Sequence, residues 1–138
     1  MTRKGTGKPV DAAHANGRLA NGRDYKEAAA RLMSLINPGE NTNPIISHIV
    51  TASIAYADAL TAKFGGEVNQ KDHGALLKHL RAALGNRLPQ KQLKNLQSIL
   101  GVKDEVQYGV RIGRSEEAVK LLAQLEEFAT WAEDEFSR

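Results

Sequence analysis

Four histidines, one aspartate inside an apolar stretch and one polar cluster are the residues whose chemistry stands out. No two of His14, His48, His73 and His79 stand four apart, and no Glu-x-x-His occurs. The helical spacings that hold a metal ion are therefore missing, and no metal is expected. His73 is predicted on the apolar face of a helix, near its start. There it reads either as a histidine bonded to a neighbouring helix or as a general base or phosphate contact at a groove. Asp58 lies in Ser53-Ile-Ala-Tyr-Ala-Asp-Ala-Leu60, among apolar neighbours. A buried carboxylate is costly unless it is paired, so Asp58 is a solvent-facing residue, a tie between helices or a polar group in a cleft.

The cluster is Lys103-Asp-Glu-Val-Gln-Tyr-Gly109. Asp104 and Tyr108 are four apart and share a helix face, with Lys103 one step round. An ammonium, a carboxylate and a phenol at a helix end can hold a phosphate or a partner's charged group. The alternative is ordinary surface charge. The chain has no cysteine, which excludes disulfides, thiolate metal sites and cysteine nucleophiles.

The elements that must position these groups are helices. Pro44–Phe64 is the central one: Pro44 suits a first turn, and Gly65-Gly66 stops it. Ile46, Ile49, Tyr56, Leu60 and Phe64 form one apolar stripe, and Ala52, Ala55, Ala59 and Ala62 form another. A surface helix carries one such stripe, so this one is expected inside a bundle. Residues 24–36 predict a first helix capped by Asp24, with Glu27 completing a capping box. A third runs from about Gln70 to Leu84 behind Asn69. A fourth runs from Pro89 through Gly101 to about Gly109. A fifth follows Ser115 with Leu121, Leu125, Phe128, Ala129, Ala132 and Phe136 inward. Little strand-like alternation is visible. The fold class is all-α, an up-and-down bundle of about five helices.

Net charge is +3, but unevenly placed. Residues 1–23 carry five basic side chains against Asp11, while residues 24–138 carry 14 basic and 15 acidic. Residues 1–23 thus read as a basic, disordered tail and 24–138 as the domain. The tail can touch phosphate without sequence choice. The near-neutral body gives no bulk electrostatic case for nucleic acid. No apolar run of the ~18–20 residues that span a bilayer is expected, so the predicted location is the cytoplasm.

The order of these elements resembles the HEPN superfamily of small helical bundles. The resemblance rests on IAYADAL in the second helix, KDHGALLKHLR opening the third, KDEVQYG ending the fourth, and SEEAVKLLAQLEEFATWAEDEF as the closing helix. It spans about residues 24–137. It implies a homodimer, and either a metal-independent ribonuclease, often a toxin, or a non-catalytic companion of a nucleotidyltransferase or toxin. Catalytic members place an Arg, a polar residue and then a His near the end of a late helix. Here Lys103, Asp104 and Tyr108 stand there. Lysine is a point charge where arginine is a planar fork, and a phenol titrates near 10 where imidazole titrates near 6.5. The expectation is a non-catalytic, HEPN-like binding module without a cofactor, binding RNA, a nucleotide or a protein. Its candidate site is Lys103, Asp104 and Tyr108, with Asp58 and His73. The alternative is a ribonuclease with altered chemistry.

Overall fold

The computed structural model describes residues 7–69 and 73–138. Among them the order is β1 (Gly7–Pro9), α1 (Ala12–Leu35), α2 (Asn43–Gly65), β2 (Glu67–Asn69), α3 (His73–Leu84), α4 (Gln90–Leu100), α5 (Lys103–Tyr108) and α6 (Ser115–Phe136). A single 3₁₀ turn, Gly85–Arg87, joins α3 to α4. The architecture is the expected all-α bundle, five longer helices and the short α5.

α2 is the axis of the bundle, with α1, α3 and α6 packed round it. Pro44 sits in its first turn, and Gly66 closes it in the left-handed conformation at φ 70°. Both predicted stripes are buried: Ile46, Ile49, Tyr56 and Leu60 on one side, Ala52, Ala55 and Ala59 on the other. Large residues fill one interface and alanines let a neighbour approach in the other. α6 contributes Leu121, Leu125, Phe128, Ala129 and Ala132 to the same core. Each large side chain so buried contributes ~1.5–3 kcal/mol of transfer free energy. α2 is also long and apolar enough to cross a membrane by length and composition, which the sequence reading did not expect. Most of that stretch is buried inside the bundle.

Three element boundaries correct the sequence reading. The first helix begins at Ala12, not Asp24, and Asp11 caps it by accepting the His14 N–H at 3.0 Å. Residues 12–23 are thus the first half of α1 rather than a loose tail, and Ala15, Leu19 and Gly22 are buried on the bundle. Gly17, Gly22 and two asparagines lower helix propensity there and hide the periodicity, but packing against α2 overrides them. β1 and β2 form a two-stranded antiparallel pair, Lys8 opposite Val68, that sequence alternation did not announce. The fourth helix stops at Leu100; a turn at Gly101-Val102 intervenes and α5 starts afresh at Lys103. The predicted start of the third helix, 70–72, lies outside the described residues.

Candidate interaction site

Between α5 and α6 the chain crosses the mouth of the bundle as Gly109-Val-Arg-Ile-Gly-Arg114. One side of this stretch is fastened to the turn before α2 and the start of that helix. The Thr42 N–H donates to the Gly113 carbonyl at 3.2 Å, and the Asn43 side-chain amide donates to the Arg111 carbonyl. The Gly113 N–H donates to Asn41 Oδ1 at 3.1 Å, and the Thr42 hydroxyl donates to the Arg114 carbonyl at 2.9 Å. Gly113 must be glycine, since a Cβ there would lie 2.6 Å from Thr42 Oγ1 and from Asn43 Oδ1. The backbone is extended at both ends of the stretch, at Gly109 and at Arg114.

The other side faces solvent. Val110 is 100% exposed, Ile112 66% and Tyr108 76%. These are large apolar groups gathered on one short stretch, where isolated ones would need no explanation. The Lys103 ammonium lies 5.1 Å from the centroid of the Tyr108 ring, a cation–π contact that lays the phenol against α5. α5 itself is held by buried Val106 and by Gln107, whose side-chain amide donates to Ser47 Oγ at 3.1 Å.

Charge round this apolar strip is balanced. Residues 103–120 hold four basic and four acidic side chains. Arg111 turns inward and grips Glu117 through two hydrogen bonds, at 2.8 and 3.0 Å, with its Nε 3.2 Å from Glu105. Glu117 in turn holds the Arg111 guanidinium above its usual pKa. An open groove of about 640 Å³ runs beside Ile112, edged by Arg111, Arg114, Lys120 and the acids Glu116 and Glu117. Mixed signs of this kind do not focus a field on an anion.

Asp58 belongs to a different place. Gln107 meets α2 at Ser47, and Asp58 is 11 residues further on, about 16 Å along the helix. There Asp58 Oδ2 accepts from Arg18 Nη2 of α1 at 3.0 Å, while its Oδ1 is buried without a hydrogen-bond partner among the described residues. Burial pushes the Asp58 carboxyl above the ordinary range, against the pull of Arg18 and, more weakly, of His14 and His79. His79 also lies 3.8 Å from Glu67 of β2. Asp58 is therefore a tie between α1 and α2. His73 opens α3, but its side chain lies outside the described ones. A second tie joins α1, α2 and α6: Arg23 grips Glu133 at 2.5 and 2.7 Å, and the buried Tyr56 hydroxyl donates to the same carboxylate at 3.4 Å.

Of the sequence candidates, then, Lys103, Asp104 and Tyr108 share α5, and Asp58 does not join them. The His48 ring packs 5.8 Å from that of Tyr25 on α1. Sequence reasoning missed Val110 and Ile112. Their signal was the alternation Val-Arg-Ile between two glycines, too short to stand out among helices. It also missed Arg18, assigned to a tail. A scan against protein-family models finds no match, and a search of curated proteins finds none either.

Proposed function

We propose that this chain is a non-catalytic, HEPN-like interaction module that binds protein through Tyr108, Val110 and Ile112. The observation that carries this reading is the exposed apolar strip on a backbone fastened at its other side, with a rim of balanced charge. An apolar centre inside a mixed polar rim is the anatomy of a protein–protein interface. A rigid platform also loses little conformational freedom on binding. The test is a photoreactive amino acid placed at Val110 in cells, with Lys94 on the exposed face of α4 as control. Discrete protein adducts from position 110 alone are expected. Equal adduct patterns at both positions would remove the surface from consideration.

A second reading keeps RNA as the partner, because the cation–π pair of Lys103 and Tyr108 offers an aromatic face beside a positive charge. Labelled RNA in fluorescence anisotropy at two salt concentrations separates the two. RNA bound in a Lys103-dependent way favours this second reading, and cleavage of that RNA on a gel favours the ribonuclease.

A further inference from the structure

Two grooves meet at Ile112. The first is the groove of about 640 Å³ that reaches Lys120 on α6. The second, of about 490 Å³, reaches the turn after α1, Pro38-Gly39-Glu40. Ile112, Arg114 and Glu116 line both, so the two adjoin and form one trough. Ile112, 66% exposed, is the large apolar group where they join.

The trough has an order of charge. At the α6 end Arg111 and Glu117 neutralise each other, which leaves Lys120 as the free charge there. At the opposite end stands Glu40, whose Oε1 accepts the Asn37 N–H at 2.6 Å and is thereby fixed to the turn. Arg114 and Glu116 lie in the shared middle. All four of these side chains are exposed, and none makes an ion pair with another described residue. One end is therefore positive, the other negative, and the junction carries both signs beside an apolar group.

We propose that this trough docks a short peptide segment of a protein partner in which an apolar residue stands between an acidic and a basic one. This rests on the protein-binding reading above and specifies the chemistry of the partner. The apolar residue covers Ile112, the acid reaches Lys120 and the base reaches Glu40. Two other occupants fit worse. A nucleic-acid backbone is negative throughout; it gains at Arg114 and Lys120 and is repelled at Glu116 and Glu40. A wholly apolar segment takes charges out of water and gives them no partner. Exposed charges of this kind add little raw affinity, but they orient a partner and reject wrong ones.

The experiment is selection of a phage-displayed library of random short peptides on the immobilised full chain. The enriched peptides are then synthesised and their binding is measured by fluorescence anisotropy. They are expected to carry an acid and a base on opposite sides of an apolar residue. Lys120→Glu and Glu40→Lys should each weaken binding about fivefold, as an exposed ion pair gives way to a like-charge contact. The double variant should prefer a peptide with its acid and base exchanged, which mere damage to the fold would not produce. Glu40→Gln keeps an acceptor for the Asn37 N–H and loses only the charge. It should weaken binding about twofold, and it preserves the test if the lysine variant disturbs the turn. No enrichment over an unrelated protein, enriched peptides without this order of charge, or binding unmoved by both reversals overturns the proposal. So does a labelled RNA oligomer that binds more weakly to Lys120→Glu and more tightly to Glu40→Lys, the mark of a plain anion site. Any of these results beside persistent adducts from position 110 would leave the protein-binding strip standing and remove only the trough.

Discussion

Arg18 in α1 and Asp58 in α2 meet across 40 residues of chain, the guanidinium donating to the carboxylate at 3.0 Å. Asp58 is almost fully buried, and the arginine is about a quarter exposed. The pair fastens the first half of α1 to the axis of the bundle. Removing one member leaves a buried charge, which costs more than the pair itself contributes. Arg18→Ala is expected to destabilise the fold by about 3 kcal/mol at neutral pH, the lower end of that effect, because water reaches the arginine. The loss depends on pH. Burial already raises the folded-state pKa of Asp58 above its unfolded value, and losing Arg18 raises it further. The folded variant therefore takes up a proton more readily than the unfolded chain. Its extra penalty is full at neutral pH and fades as pH falls through that raised pKa toward about 4. Urea unfolding of both proteins at pH 7 and pH 4 checks this; an equal loss at both values would separate Asp58 from the effect.

Glu133 runs the opposite way. The Arg23 fork, helped by Tyr56, holds its carboxyl below the ordinary range. A depressed acid stabilises the fold above its unfolded pKa, and that stability is lost as pH falls through the lower, folded-state value. Glu133→Gln should cost about 1 kcal/mol at pH 7, a modest figure because Arg23 is more than half exposed. Below about pH 4.5 the variant should lose less than the wild type does on further acidification. Thermal unfolding as a function of pH is the measurement.

Two glycines of α1 should respond in opposite directions to alanine. A Cβ on Gly22 would lie 3.0 Å from Cδ2 of Tyr56, whose ring is fully buried and has nowhere to move. Gly22→Ala should therefore destabilise by about 1–3 kcal/mol. At Gly17 nothing lies within 4 Å. Gly17→Ala should stabilise by roughly 0.5–1 kcal/mol, since helix propensity improves and no contact is disturbed. Chemical denaturation of the two variants tests whether residues 12–23 are a packed helix at all, because a loose tail would show neither effect.

Gly113→Ala tests the fastening of the exposed strip. The new methyl would lie 2.6 Å from two oxygens at the start of α2 and push the stretch off that surface. A cost of about 1–3 kcal/mol is expected. Amide exchange should be faster at Thr42, whose N–H donates to the Gly113 carbonyl, and at Gly113, whose N–H donates to Asn41 Oδ1. Unchanged exchange at both would mean that the stretch is held elsewhere.

Lys103→Ala and Tyr108→Ala should leave stability within about 0.5 kcal/mol, since Tyr108 is exposed, Lys103 is half-buried and the contact they share is with each other. Both should nevertheless lower the yield of adducts from position 110. Normal adduct yields in both variants would confine the interaction to Val110 and Ile112.

How much of this was legible beforehand depends on the range of the interaction that decides it. α2 and α6 were readable because their apolar residues recur at helical spacing over five turns or more, with Pro44 and Gly66 marking the limits of α2. The all-α class followed from that periodicity and from turn residues between the segments. α1 was half readable: beyond Asp24 its pattern is strong, while from Ala12 to Arg23 weak helix formers leave the choice to packing against Tyr56, Ala62 and Asp58. Lys103, Asp104 and Tyr108 were findable as a polar interruption in an apolar pattern.

What only the tertiary structure decided are the pairings between residues distant in sequence. Nothing local says that Arg18 meets Asp58, that Arg23 meets Glu133, or that Asn41, Thr42 and Asn43 bond to residues 111, 113 and 114. Periodicity reports which way a side chain faces on its own element. It carries no information about which element lies opposite, and that is fixed by the joint packing of the bundle.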